Sequence, residues 1–229
     1  MAILELVDVR KVYKKGDNEV VALRDIDLVI EKGEFLAIMG PSGSGKTTLL
    51  NIVGCLDVPS SGRVNYDGRE LGGLKQKQLS LYRRDNIAFI FQSYNLIPVL
   101  TVRENVELPL IIERKYGRAE IAERAMDILK LVGLEDKARR LPKELSGGQE
   151  QRVAIARALI KDPLVVLADE PTANLDSRTA EEIIDIMKSL NERKNTTFIF
   201  STHDKLVESH ARRVVVIRDG VVHSDERRA

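Results

Sequence analysis

The chain has 229 residues, with 36 lysines and arginines against 35 aspartates and glutamates. That length suits one sizeable core, or one domain with a smaller inserted lobe, and the balanced charge leaves no bulk positive field for nucleic acid or an anionic membrane. A single cysteine, Cys55, excludes an internal disulfide framework and fits a reducing compartment.

Asp8, Arg10 and Lys11 interrupt the first apolar run, so no signal peptide is expected. Apolar and polar residues alternate in Ile26-Asp27-Leu28-Val29-Ile30, which predicts antiparallel strands in the N-terminal region. A buried strand over Glu34–Met39 follows, then a glycine-rich loop, then a helix with Leu49, Leu50, Val53 and Leu56 at helical spacing. Asp67-Gly68 reads as a hairpin turn and Ile87–Phe91 as a short buried strand. From about Asn95 to Ile160 the pattern turns helical, with Ile121, Ala125, Ile128, Leu129 and Val132 on one face. The βα rhythm then resumes. Val165–Ala168 is a strand, Ser177–Arg193 a helix, Phe198–Ser201 and Val214–Ile217 further strands, and Asp219-Gly220 a final turn. The fold class expected is α/β with an inserted helical lobe. The longest apolar runs are strand-sized, well short of the roughly 20 residues that a membrane span needs.

Gly40-Pro41-Ser42-Gly43-Ser44-Gly45-Lys46-Thr47 fits the phosphate-loop pattern, with a buried strand before it and an apolar helix after it. Its glycines let successive backbone N–H groups converge on phosphate oxygens at a helix N-terminus. Lys46 is expected to reach the β and γ phosphates, and the Thr47 hydroxyl to ligate Mg²⁺. Leu164–Ala168 is an apolar run ending in two carboxylates, Asp169 and Glu170. Beside a phosphate loop, Asp169 suits Mg²⁺ and Glu170 suits the attacking water. His203 and Gln92 each follow a strand, at the carboxyl end where ligands bind in α/β sheets.

Leu145-Ser146-Gly147-Gly148-Gln149 poses a different problem. Ser146 can cap the following helix, and the two glycines leave its first turn free of side chains. This resembles an anion-binding helix start, yet it brings no lysine and no Mg²⁺ carboxylate. The reading adopted is half a site, completed by the phosphate loop of a second copy; a capped helix alone would not need paired glycines.

With these motifs in this order, the chain resembles the nucleotide-binding subunits of ATP-binding cassette (ABC) transporters over nearly its whole length. Residues 145–149 are similar to the family signature, Gln92 to its Q-loop, Asn174-Leu175-Asp176 to its D-loop, and His203 to its switch histidine. The resemblance implies a RecA-like phosphate-loop core with an N-terminal antiparallel β subdomain and an inserted α-helical subdomain. Residues 1–92 and 161–229 would form the core and β subdomain, and 93–160 the helical signature subdomain. It also implies ATP and Mg²⁺, with catalysis by Glu170, His203 and Lys46. Contacts to the nucleotide would come from Tyr13, stacking on adenine, from Gly40, Ser42, Gly43, Ser44, Gly45, Lys46, Thr47, Thr48 and Gln92, and across a dimer from Ser146, Gly147, Gly148, Gln149 and Asp176. The metal would be held by Thr47, Gln92 and Asp169. The implied partners are a second copy, closed head to tail by ATP, and a separate transmembrane permease that docks near Gln92 and Ser93–Val106, on the inner face of the cell membrane; no nucleic acid is expected. Residues 95–110 and Gly54-Cys55-Leu56-Asp57 resemble the group serving lipoprotein release, macrolide and peptide efflux, and cell division. Export or extraction is the implied activity, and signalling through a membrane partner is the alternative.

Overall fold

A computed structural model describes residues 1–16 and 18–228. Strands β1 (Ala2–Lys15), β2 (Asn18–Glu31), β4 (Ser61–Tyr66) and β5 (Arg69–Glu70) form an antiparallel sheet in the order β2-β1-β4-β5. Alternation in β2 buries Leu23, Ile26, Leu28 and Ile30 on one face, as the pattern predicts. Asp67 and Gly68 join β4 to β5 with φ of 47° and 74°, both left-handed, as a tight two-residue turn requires.

The second sheet has six strands in the order β10-β9-β3-β8-β7-β6. They are β3 (Phe35–Met39), β6 (Ile87–Phe91), β7 (Val165–Asp169), β8 (Thr197–Ser201), β9 (Arg213–Arg218) and β10 (Val221–Arg227). All neighbours are parallel except β9 and β10. Successive side chains go to opposite faces. Phe35, Ala88, Ile90, Val166, Ala168, Phe198 and Phe200 pack beneath the helices, whereas Leu36, Ile38, Ile87, Val165, Leu167 and Ile199 pack toward the first sheet. A sheet buried on both faces needs near-continuous apolar strands, and these are.

The helices are α1 (Lys46–Val53), α2 (Gln76–Asn86), α3 (Val102–Glu113), α4 (Arg118–Leu131), α5 (Gly147–Leu159), α6 (Ser177–Lys194) and α7 (Lys205–His210). Three details differ from the sequence reading. α1 stops at Val53, where Gly54 meets Phe89 too closely for a side chain and Cys55 turns left-handed at φ 55°; Leu56 therefore lies outside the helix and is exposed. α2 carries no signal in the sequence, because only Leu79 on it is buried and no apolar period marks it. The helix expected from about Asn95 starts only at Val102, where Thr101 caps it, and Tyr94 and Asn95 ahead of it are both left-handed at φ 51°.

α3 opens on a reciprocal cap. Thr101 accepts from the Glu104 backbone, and the Glu104 carboxylate accepts from the Thr101 backbone and hydroxyl. α5 opens in the same manner, with Ser146 accepting from the Gln149 N–H and the Gln149 side chain accepting from the Ser146 N–H. Where α5 crosses α6, a Cβ on Gly148 would sit 2.3 Å from the Thr179 methyl. Gly148 thus has a packing reason to be glycine within one copy, which the reading of the pair as half a site did not include. Thr179 cannot turn away freely, since its hydroxyl and N–H both bond the Asp176 carboxylate that caps α6. Gly148→Ala is expected to destabilise the nucleotide-free chain by about 1–3 kcal/mol through overpacking. Removing the Thr179 methyl in Gly148→Ala/Thr179→Ser should restore most of that loss in urea unfolding. Wild-type stability of the single variant would contradict the packing account.

Candidate functional site

Parallel register builds the site. Phe91 pairs with Asp169, Asp169 with Ser201, and Ser201 with Ile38, so these strands end side by side. Gln92, Glu170, His203 and Gly40 leave the sheet just beyond that line. Together with Pro41, Ser42, Gly43, Lys46, Thr47, Ala173 and Ser201 they line one cleft of about 590 Å³.

The glycines of the loop between β3 and α1 have separate reasons. At Gly40, φ is 151° and a Cβ would stand 2.1 Å from the Ile217 carbonyl oxygen; at Gly45, φ is 105° and it would stand 2.6 Å from that of Ala22. Gly43 faces open space and is required only by its φ of 77°. Ser44 is buried, its hydroxyl lacks a protein partner, and its carbonyl accepts from the Gly220 N–H. Ser42 is exposed. Lys46 begins α1, and its ammonium donates to the carbonyls of Gly40 and Pro41 at 2.8 and 2.9 Å. This holds the charge inside the curve of the loop, beside the cleft that Thr47 also lines.

Two carboxylates end β7, and their surroundings differ. Burial pushes the Asp169 carboxyl above its ordinary range; the Ser201 hydroxyl and Lys46 oppose that shift, and the Glu170 charge adds to it. Glu170 is left-handed at φ 46°, a conformation uncommon in non-glycine residues and often kept at functional sites. Its N–H donates to the Ser201 carbonyl. One carboxylate oxygen accepts from the Thr202 hydroxyl at 2.9 Å, and the other lies 2.6 Å from His203 Nδ1. The His203 side chain is 76% exposed and lines the cleft. Thr202 and Ser201 are the polar groups that sequence reading missed; nothing separates them from ordinary strand-end hydroxyls until the register is known.

The other expected residues lie apart from this cleft. Tyr13 is on β1, with its hydroxyl on Asp57, and Thr48 on α1 stands within hydrogen-bonding reach of that hydroxyl. Asp176 caps α6. Ser146, Gly147, Gly148 and Gln149 form the first turn of α5 and do not line the phosphate-loop cleft. The α5 helix is nevertheless tied to the cleft's supports. Buried Gln151 donates to the carbonyl of Pro171, next to Glu170, and Arg157 donates to the carbonyls of Tyr94 and Asn95, just past Gln92.

Thr47, Gln92 and Asp169 offer hard oxygen donors, the set that Mg²⁺ prefers. Among the described residues no cluster of three or more histidines, cysteines or carboxylates could hold a metal alone.

The arrangement is matched by known proteins. The ABC transporter family model matches residues 23–173. The uncharacterized ABC transporter ATP-binding protein MJ0796 of Methanocaldococcus jannaschii is 47% identical, over 98% of this chain and 97% of its own. The macrolide export ATP-binding/permease protein MacB of Bdellovibrio bacteriovorus is 46% identical over 98% of this chain, which spans 34% of MacB. A dimeric structure of MJ0796 in a post-hydrolysis state with ADP and Pi superposes with a TM-score of 0.89 over 98% of both chains. cbiO1 from Clostridium perfringens, part of the transporter complex cbiONQ, gives the same score at 31% identity, over 99% of this chain and 88% of its own. A phosphate loop, an acidic strand end and a histidine in one cleft, on a fold shared throughout with these cassettes, establish that the chain belongs to the ABC transporter family as an ATP-binding cassette with ATPase activity.

Proposed function

We propose that this cassette is the motor subunit of an exporter or extractor whose permease is a separate membrane chain, and that two copies close head to tail around two ATP molecules. The observation that carries this reading is the separation of the two glycine-rich segments. The phosphate loop shares a cleft with Asp169, Glu170 and His203, whereas the signature turn opens elsewhere with no lysine or metal carboxylate of its own. A second copy supplies the missing half to each. The dimeric MJ0796 structures support that assembly, and the export named for MacB supports the direction. Among the described residues no helix is long and apolar enough to cross a membrane.

Each residue then has a task. Backbone N–H groups of the loop from Gly40 to Thr48 and the Lys46 ammonium hold the phosphates. Thr47, Gln92 and Asp169 hold Mg²⁺, which neutralises phosphate charge when bound. Tyr13 takes the adenine. Glu170 orients the water and accepts its proton as the water attacks the γ-phosphorus and the bond to the ADP oxygen breaks. His203, fixed by Glu170 through Nδ1, presents Nε2 toward the γ-phosphate. Ser146, Gly147, Gly148, Gln149 and Asp176 act on the ATP of the opposite copy.

The permease docks at a groove of about 470 Å³ beside Gln92, with Phe89, Phe91 and Pro109 as its apolar part and Arg83, Arg84 and Arg157 as its basic part. Val99 in the adjoining segment is 81% exposed, an apolar side chain without cover. Arg157 joins this segment to the signature helix, so movement of one reaches the other. Glu104 is a poor probe of docking, because its carboxylate caps α3.

Glu170→Gln keeps the side-chain shape but cannot take the proton, so hydrolysis should fall by about 10²–10⁴-fold while ATP binding survives. Gel filtration with ATP should then shift from monomer to dimer. An ATPase rate near wild type would remove Glu170 from its role. Val99→Asp should leave the ATPase of the isolated cassette unchanged and abolish stimulation by the reconstituted permease. Full stimulation would move the docking surface elsewhere.

A further inference from the structure

Lys11 is a buried cation that the proposed reaction does not use. It lies two residues before Tyr13 on β1, hence on the same face of the strand. Only 8% of the residue is exposed, and its ammonium makes three contacts. It donates to Asp57 Oδ1 at 2.6 Å and to the Val58 carbonyl at 2.8 Å, and it lies 4.9 Å from the centroid of the Tyr13 ring. The second Asp57 oxygen accepts from the Tyr13 hydroxyl at 2.8 Å. One carboxylate therefore holds both the cation on the ring and the far end of the ring. Asp57 is itself fixed by accepting the Val58 N–H at 2.7 Å.

A partly exposed tyrosine near the end of a strand ordinarily swings about its χ angles and loses that freedom when a base stacks on it. Here the hydroxyl is anchored and one ring face is covered by a charge, while Tyr13 remains 39% exposed. The ammonium also draws π density toward itself, which leaves the uncovered face better suited to an electron-rich purine. A purely structural ion pair would need neither the ring nor the hydroxyl.

We propose that Lys11 and Asp57 are positioning residues for the nucleotide base, holding the Tyr13 ring so that one face is occupied by the ammonium and the other is ready for adenine. This rests on the reading of Tyr13 as the adenine-stacking ring. The pair acts through Tyr13, and its side-chain bonds go to Val58 and Tyr13 rather than to the phosphate loop, so it sets affinity for the base.

The test compares two ligands of the full chain by calorimetry: MgATP, and magnesium tripolyphosphate, which has the phosphates without the base. Lys11→Met and Asp57→Asn should each weaken ATP by about fivefold and alter tripolyphosphate by less than about twofold. Tyr13→Phe, which keeps the ring and uncovers no buried charge, should weaken ATP by about twofold and serves if the other variants unfold. Tyr13→Ala should weaken ATP most, again sparing tripolyphosphate. Equal losses for both ligands would overturn the proposal, since a general distortion reaches the phosphate loop too. ATP affinity unchanged in Lys11→Met, Asp57→Asn and Tyr13→Phe, with loss in Tyr13→Ala, would overturn it while leaving stacking intact. Wild-type ATP affinity in Tyr13→Ala would remove the stacking itself.

Discussion

The in-register parallel pairing of β6, β7 and β8, carried on to β3, is the constraint on which this site depends. It brings Phe91, Asp169, Ser201 and Ile38 to one level, so that the chain turns out of the sheet there four times. One residue of slip in β7 would send Asp169 to the opposite face and carry Glu170 away from Thr202 and His203. The apolar alternation that fills the two cores also forbids that slip, because Val166 and Leu167 would exchange environments. Core packing and the geometry of the cleft are thus set by one register.

Within that frame, charge is placed by backbone before side chains arrive. Lys46 is curled onto carbonyls of its own loop, and Glu170 is turned left-handed and held at both oxygens. Asp169 is buried enough that its proton is held more tightly than usual, a state that a divalent cation relieves. The signature helix reaches this frame through two polar links, Gln151 to Pro171 and Arg157 to Tyr94 and Asn95. Gly148 belongs to the same linkage, since its missing side chain admits Thr179, which Asp176 holds. The two glycines of the signature therefore answer to packing inside one copy as well as to the proposed contact with another.

Much of this was legible in the sequence, and the failures have physical causes. The phosphate loop showed because glycine spacing encodes backbone conformation directly, as Gly40, Gly43 and Gly45 bear out. The buried strands showed because both faces are apolar. α2 stayed hidden since a helix with one buried leucine has no period to display, and the stretch from Asn95 to Thr101 read as helical because left-handed Tyr94 and Asn95 carry no glycine signal. Thr202, Gln151 and the Lys11–Asp57 pair could not be found at all. Each is made significant by a partner at least 20 residues away in the chain.

The central claim is that the phosphate loop of one copy meets the signature of another. Ser44 is buried and unsuited to a chemical probe, whereas Ser42 and Gly147 are exposed. Cys55 does not compete, since it is buried and its thiol is pushed up to about 11. Ser42→Cys and Gly147→Cys, made separately in the Glu170→Gln background and mixed, should be joined by a short bismaleimide into a covalent heterodimer when ATP is present. Little product should form without ATP, or from either variant alone. A bridge closing within one chain that carries both cysteines, or a yield indifferent to ATP, would contradict the account.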